Sequence, residues 1–593
     1  MRRVWRSVAV KRPWCARARA ARARRGGASA RAPPITRSQT MSPPEDALVS
    51  FAPLLLSLVL ACSGWDNEAL ALLILCIGIS FVGVSFLAAR ASAILMRYSL
   101  RRSASPGLGI GSCSPLLLLS AVAAVRMRMG VSIGPLRAHF WGLVGCAVQP
   151  SLALMLPRQL HHRPWLPLVI GHVVAQLVLA VARPAGFDAL IAATCLAVHA
   201  LALAGCVVGA RGSFTLGEAA AIAQGLGLLA ADTRLMSTCA WAAHLEVAAG
   251  LCVLRSSDDL ATQALLSGGL ALAAGLCAIL AILSRARVRP IILSAVFVAV
   301  VGIALAAALL PWLTELVGSE SLAWLLQSFT APGRPMLIAY WAAATPLACI
   351  AAALVAPQPL APGSPPPNRI HKARLLLARK LFHFLVVALF SPAIFAHLPL
   401  LQQAMAIVLV GFAMLEIIRL FALPPLAAPL TAFLSTFLDA RDGGTLILTH
   451  TYLLFGCALP IWLSSALPAA QTQAPLATAA LTAAPHAGVI VLGVGDAMAS
   501  LVGVTLGRTC WPNSQKTLEG TGAGAGAMLA LTALLLHAGS PDGLPAGAYT
   551  WTALGGCTAL ACLLEAVTDQ IDNLFLPVGF LTSLLVAAAI DLA

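Results

Sequence analysis

Asp496 is a carboxylate in an otherwise apolar stretch near the C-terminal end of the chain. Ionisable residues in apolar segments are costly and usually functional. A carboxylate in such a stretch is a natural Mg²⁺ ligand, because Mg²⁺ is typically held by one or two carboxylates plus substrate phosphates. Small residues recur at positions 495, 499, 503 and 507, a pattern that by itself predicts only close helix packing. The packing explains the glycines but leaves Asp496 to be explained by chemistry.

A second polar tract follows, in which residues 515–524 have the sequence QKTLEGTGAG. Lys516 offers a positive charge to a phosphate, and Thr517 and Thr521 offer hydroxyls. The glycines at the start of a helix can present backbone N–H groups, which bind anions well. The spacing matches neither a Walker A motif nor a Rossmann motif. The tract therefore predicts a phosphate site of neither common type.

Charged residues also occur in two earlier apolar segments. Arg379 and His383 are four residues apart and share a helix face. A positively charged anchor that ends a helix on the cytoplasmic side accounts well for Arg379 and Lys380, whereas for His383 a functional and a structural role are equally favoured. Glu416 and Arg419 are three residues apart, which favours a structural ion pair. Contact of Arg419 with a phosphate is the alternative.

Two more polar clusters lie between apolar helices. One contains Asp442, followed by two glycines that let a ligand approach the backbone, and then His450. The other contains Glu565, Asp569 and Asp572. Glu565 and Asp569 share a helix face, and this cluster could provide a second metal carboxylate. The alternative for both clusters is an ordinary solvated loop.

The elements that must position these residues are membrane helices. Of 593 residues, 60% are hydrophobic and only 10% are charged, whereas soluble domains carry about 25% charged residues. Uncharged blocks such as 69–89, 264–283 and 291–312 are long enough to cross a bilayer, which takes roughly 20 residues. The sequence predicts an all-α polytopic bundle with roughly 15 to 18 membrane segments.

The formal net charge of +16 is concentrated at the start of the chain. Residues 1–40 contain 12 Lys or Arg and no acid, so the rest has 26 basic and 22 acidic residues, a net charge of +4. No basic stripe with interleaved aromatics is present, so we expect no nucleic acid partner. The basic segment has three interpretations: a targeting peptide, a tail bound to anionic lipid, or an extension preceding a second start at Met41.

Four regions are predicted along the chain. Residues 1–46 form the basic segment, and residues 47–355 form a multi-pass helical region. A proline-rich linker at 356–374 cannot continue a helix. Residues 375–593 contain all the polar clusters described above and form the predicted catalytic membrane domain.

These motifs resemble those of the dolichol kinases, which belong to a wider membrane family with phosphatidate cytidylyltransferases, phytol kinases and CTP-dependent diacylglycerol kinases. Residues 379–383 (RKLFH), 495–500 (GDAMAS) and 516–521 (KTLEGT) resemble the wider family. Residues 448–454 (LTHTYLL) and 570–574 (QIDNL) resemble the dolichol kinase branch. The chain is also longer than phytol kinases, as expected of a dolichol kinase.

The resemblance, over residues of about 375 to 590, implies CTP as phosphate donor, dolichol as acceptor and the endoplasmic reticulum membrane as location. It also implies a nucleotide-binding segment at 495–520. The expected cofactor-binding residues are Gly495, Asp496, Ser500, Lys516, Thr517, Glu519, Gly520 and Thr521.

The mechanism expected from the resemblance is phosphoryl transfer by positioning and charge neutralisation. Asp496, with Asp569 or Asp572, would hold Mg²⁺ on the CTP phosphates. Lys516 and Arg379 would neutralise the terminal phosphate. The partners are thus CTP, a dolichol or polyprenol lipid and the surrounding membrane lipid.

The base that assists the acceptor hydroxyl is left open among His450, Asp442 and His383. In the family, two basic residues often precede the threonine. Here Gln515 occupies the first of these two positions, so Lys516 alone would contact the phosphate. Three other functions remain open: a phytol or other polyprenol kinase in a plastid membrane if residues 1–40 are a transit peptide, a cytidylyltransferase-like enzyme, and a multi-pass transporter.

Overall fold

The structure, a computed structural model, describes residues 100–101, 107–131, 134–155, 165–182, 188–243, 256–357, 369–435, 437, 444–468, 472–512, 514, 516–539, 547–568 and 570–592. Two predicted site residues, Asp442 and Asp569, lie outside these ranges, as do the basic segment 1–46 and the predicted membrane segment 69–89. Secondary structure within the described residues is helical, apart from one short bridge between Cys510 and Thr517.

The helices of the first half follow the Leu, Ala and Val blocks of the sequence. Local signals set their ends: Ser256 and Asp259 form a reciprocal capping box, Pro290 starts the next helix, and Gly318 ends it in a left-handed conformation. These helices are α1 Leu108–Arg128, α2 Gly134–Met155, α3 Trp165–Ala182, α4 Ala189–Gly209, α5 Leu216–Ala243, α6 Ser257–Arg285, α7 Pro290–Val317, α8 Ser321–Thr330 and α9 Arg334–Val355.

The helices of the second half, and the segments between them, carry the polar clusters. They are α10 Arg369–Ala396, α11 Leu398–Leu420, α12 Ala427–Ser435, α13 Thr449–Leu463, α14 Pro475–His486, α15 Val489–Thr505, α16 Leu518–Gly539, α17 Ala548–Val567 and α18 Asp572–Asp591. The helix α10 begins at Arg369, inside the region predicted to be a linker.

The described residues contain nine helices long and apolar enough to cross a membrane. Blocks 264–283 and 291–312 lie within two of them, α6 and α7, so these two predicted membrane segments are helices of the expected kind. The chain is thus an all-α polytopic membrane protein, as predicted. The predicted total of 15 to 18 segments includes residues before 100 and stays a prediction.

One further pair of helices is bent. The helices α14 and α15 together are apolar enough for a tenth span, but they meet at an angle of 72°. Such a pair is either a broken span or a re-entrant loop. Non-helical backbone at membrane depth is tolerated only where protein or water surrounds it. Protein surrounds this bend, because Ala487 and Val489 are fully buried.

The two halves of the chain share one core. Buried Val122 of α1, Leu401 of α11, Leu492 of α15 and Leu584 of α18 belong to a single hydrophobic cluster. Where α9 packs against α10, the indole N–H of Trp341 donates to the carbonyl of Leu389 at 3.1 Å. The proline-rich segment therefore does not separate two independent cores.

Candidate active site

Asp496 ends a stretch of π-helical turns at the start of α15. These turns cover Val489–Asp496, and regular α-helix begins at Ala497. Wider turns of this kind occur mostly at functional sites. The side chain of Asp496 is only 9% exposed. The local structure thus places a buried carboxylate in the middle of α15, where the π-helical turns end.

Two residues of α10 contact this carboxylate. Nζ of Lys380 lies 2.5 Å from Oδ2 of Asp496, and both side chains are buried. Nδ1 of His383 lies 3.4 Å from the same oxygen and 2.8 Å from the carbonyl oxygen of Leu492. Lys380 and His383 are three residues apart and therefore share a helix face. The other carboxylate oxygen accepts a hydrogen bond from the hydroxyl of Ser500 at 3.2 Å.

The loop between α15 and α16 folds back on itself. The backbone N–H of Trp511 donates to the carbonyl of Lys516 at 3.0 Å, and that of Leu518 donates to Thr509 at 2.8 Å. Thr517 then caps α16, because its hydroxyl accepts the N–H of Gly520 at 3.2 Å. This closed loop fixes the backbone on both sides of Lys516.

Lys516 reaches two carboxylates from two other helices. Its Nζ lies 3.4 Å from Glu565 near the end of α17 and 3.4 Å from both oxygens of Asp572 at the start of α18. Its side chain is 24% exposed, three times the exposure of the Lys380 side chain at 8%. Lys516 therefore sits between two acids.

The two clusters interact with each other through their charges. Asp496 interacts electrostatically with Lys516, and Glu565 with both Asp496 and Lys380. The site thus contains two lysines, three carboxylates and a histidine from four helices and one loop. Charged residues within apolar helices, such as Lys380 and Asp496, are costly and point to function.

The glycines of the predicted nucleotide tract serve helix packing. A side chain on Gly520 would place its Cβ 2.6 Å from the carbonyl oxygen of Ala499, and one on Gly524 would lie 3.0 Å from that of Gly495. The backbones of α15 and α16 therefore approach one another directly, as small-residue stripes permit.

The remaining predicted tract residues also bond within the protein. The carboxylate of Glu519 accepts the N–H of Thr509 at 3.0 and 3.1 Å. The hydroxyl of Thr521 accepts the indole N–H of Trp511 at 2.9 Å. Both residues therefore hold the loop that carries Lys516.

Other predicted residues fall in different surroundings. The ring of His450 packs edge-on against Phe382 at 5.3 Å and Phe437 at 6.0 Å between ring centroids. Glu416 and Arg419 form the expected ion pair, with an N–O distance of 2.5 Å. This pair also holds the segment before α13, since Arg419 donates to the carbonyl of Thr445 and Glu416 accepts the N–H of Ile447.

Lys380 corrects the sequence interpretation. The possibility that it is a membrane-surface anchor is wrong, because its side chain is buried and paired with Asp496. The donor to this carboxylate is Lys380, a contact that the sequence did not predict. Its spacing of three from His383 was the signal that could have identified it.

A model of the dolichol kinase family matches residues 257–552, about half of the chain. The human protein named Dolichol kinase is 42% identical over 277 residues, which cover 46% of this chain and 49% of the human one. The chain belongs to the dolichol kinase family.

Other relatives agree with this assignment. The mouse Dolichol kinase is 42% identical over 277 residues, covering 46% of this chain and 50% of its own. The Arabidopsis thaliana Dolichol kinase EVAN is 38% identical over 214 residues, which are 36% of each chain. The aligned region thus spans about half the length of the human and mouse proteins. No solved structure matches the chain.

Proposed function

We propose that this member of the dolichol kinase family transfers the terminal phosphate of CTP to dolichol, in the membrane of the endoplasmic reticulum. The observation that carries the proposal is that two lysines, Lys380 and Lys516, form ion pairs with three carboxylates from separate helices. Phosphoryl transfer depends mainly on positioning and on neutralising charge. A site with lysines from separate elements is suited to bind an anionic donor.

Lys516 is the proposed phosphate ligand. It is the more exposed of the two lysines, at 24% against 8% for Lys380, and it lies on a fixed loop. Its present partners, Glu565 and Asp572, are both at 3.4 Å, which is longer than a charge-assisted hydrogen bond of about 2.8 Å. An incoming phosphate could therefore compete for its ammonium group.

The carboxylates of the site could provide a small number of ligands to Mg²⁺. Within the described residues, no group of three or more His, Cys, Asp or Glu side chains is arranged to hold a metal ion. A site with one or two carboxylates still fits Mg²⁺, because this ion commonly completes its shell with phosphate oxygens and water. Asp496 and Asp572 are the proposed ligands, and bound Mg²⁺ would neutralise charge on the donor phosphates.

His383 is the proposed base for the dolichol hydroxyl. Its Nδ1 lies 2.8 Å from the carbonyl oxygen of Leu492, so Nδ1 carries the proton in the neutral ring and Nε2 can accept one. Asp496 beside it would stabilise the charge that forms on the ring. His450 lies instead against aromatic rings, which favours His383 of the two.

The deciding experiment uses CTP labelled on the terminal phosphate, with the purified full chain and dolichol, phytol and diacylglycerol as competing acceptors. We expect the label on dolichol. Label on another lipid would overturn the acceptor, and unlabelled lipid with released labelled pyrophosphate would identify a cytidylyltransferase. No transfer by the folded protein would leave the transporter as the better explanation.

A further inference from the structure

Glu218 is a fully buried carboxylate at the start of α5, far from the predicted catalytic region in sequence. It forms an ion pair with Arg101, whose side chain is 9% exposed. A charge buried at this depth is tolerated only when it is paired and hydrogen-bonded. The partners of Glu218 therefore indicate what the residue is for.

One of those partners directly precedes a residue of the candidate active site in the chain. Oε1 of Glu218 accepts the backbone N–H of Ile571 at 3.0 Å, and Oε2 accepts that of Thr215 at 2.9 Å. The hydroxyl of Thr215 in turn donates to the side-chain oxygen of Gln570 at 2.5 Å. Residues 570 and 571 immediately precede Asp572, which contacts Lys516.

The backbone has no room to shift at this contact. A Cβ added to Gly217 would lie 1.9 Å from the carbonyl oxygen of Gly107, and one added to Gly107 would lie 2.3 Å from Cδ of Gln570. Gly107 also adopts a positive φ of +65°, which favours glycine. An apolar cluster continues the contact and contains, among others, Ala219, Ala220, Ala223, Tyr452, Leu574 and Phe575.

The same loop reaches a second segment of the C-terminal region. The hydroxyl of Ser213 accepts the N–H of Leu446 at 3.0 Å, and the carbonyl of Arg211 accepts that of Thr445 at 3.0 Å. A Cβ on Gly444 would lie 2.5 Å from the backbone of Ser213. The loop between α4 and α5 thus holds both the entry to α13 and the entry to α18.

We propose that Glu218 is a positioning residue that fixes the 570–571 turn and so holds Asp572 toward Lys516. The inference rests on the proposed function and gives the N-terminal helices a part in it. Glu218 lies outside residues 257–552, the part of the chain that the family model matches. A carboxylate is required because both of its oxygens accept backbone N–H groups while it neutralises Arg101.

The test is a double-mutant cycle on the full chain. Glu218→Gln keeps the size of the side chain but leaves only one accepting oxygen. We expect kcat/KM for CTP to fall roughly tenfold, the scale of one lost hydrogen bond to a charged group. In an Asp572→Asn background the same change should cost less than about twofold, since coupled residues are not additive.

Gln149→Met is the matched control. Gln149 is a buried residue of α2 whose side chain bonds to His199 of α4 at 2.5 Å, wholly within the N-terminal helices. Its effect should be the same in both backgrounds. The proposal is wrong if the fold-losses in kcat/KM caused by Glu218→Gln and Asp572→Asn simply multiply in the double variant. It is also wrong if Glu218→Gln alone leaves kcat/KM unchanged.

Hydrogen exchange separates this inference from the proposed activity. The amide of Ile571 should exchange faster in Glu218→Gln and at the parent rate in Gln149→Met. If Glu218→Gln does not fold, Arg101→Met/Glu218→Gln removes the unpaired guanidinium and should show the same faster exchange. Unchanged exchange of the Ile571 amide overturns the positioning role. If this amide exchanges faster in Glu218→Gln but the parent protein phosphorylates no lipid, only the kinase proposal is overturned.

Discussion

The ammonium group of Lys380 lies 2.5 Å from Oδ2 of Asp496, although the two residues are 116 positions apart in the chain. The contact joins α10 to the π-helical turns of α15, and both charges are buried. Removing one partner of a buried ion pair leaves the other charge without compensation, which is more costly than removing both.

This asymmetry makes a prediction about stability. We expect Lys380→Met to lower the free energy of unfolding by about 3 to 5 kcal/mol, whereas Lys380→Met/Asp496→Asn should recover most of that loss. Both variants should lack lipid phosphorylation. Thermal unfolding in detergent, together with the labelled-CTP assay, measures the two effects separately. A double variant as unstable as the single one would contradict a direct pairing.

Lys516 should matter for activity far more than for stability. Its side chain is more exposed than that of Lys380, and its contacts at 3.4 Å are longer than the Lys380–Asp496 contact, so we expect a smaller loss of stability than for Lys380→Met. We expect Lys516→Ala to lower kcat/KM for CTP about 100-fold or more, as the loss of a donor to transition-state charge does. Arg374→Ala is the control, because Arg374 is exposed and bonds only to backbone carbonyls of α9 in the contacts described.

His383 and His450 can be distinguished as candidate bases. His383→Gln should lower kcat by about 10² to 10⁴, the usual contribution of general acid–base catalysis. His450→Phe should retain most activity, because His450 already packs against Phe382 and Phe437. The measurement is kcat at saturating CTP and dolichol. A larger loss of kcat in His450→Phe than in His383→Gln would identify His450 as the base instead.

The packing of α15 on α16 can be tested with two glycines of one helix. Gly520→Ala would place a Cβ 2.6 Å from the carbonyl of Ala499, whereas nothing lies within 4 Å of a Cβ on Gly522. We expect Gly520→Ala to destabilise the protein by about 1 to 3 kcal/mol. Gly522→Ala should be neutral or should stabilise the helix by up to about 1 kcal/mol. Equal melting temperatures would show that the close approach is unnecessary.

The sequence predicts much of this architecture because apolar blocks and membrane helices follow the same length rule. It also predicts Asp496 and Lys516 as notable residues, since a charge among apolar residues stands out. It cannot predict their partners. Glu565 and Asp572 meet at Lys516 only because α17, α18 and the loop before α16 converge.

Lys380 and Glu218 show why the rest was missed. Lys380 follows Arg379 just before the apolar part of a long helix, so its sequence context is that of a membrane anchor, and only the packing of α10 against α15 buries it. Glu218 lies in a region with no recognisable motif, and its contact with Ile571 spans 353 residues. Patterns along one helix face carry no information about contacts of this range.

The 72° bend between α14 and α15 has a consequence for how Asp496 meets its partners. An interrupted helix at membrane depth is tolerated only where protein or water surrounds it. Here protein surrounds it, because Ala487 and Val489 are fully buried and a Cβ on Gly488 would lie 2.4 Å from the carbonyl oxygen of Gly456 in α13. The packed neighbours let the chain change direction at this point, so α15 can bring Asp496 to Lys380 of α10 while α14 follows a different course.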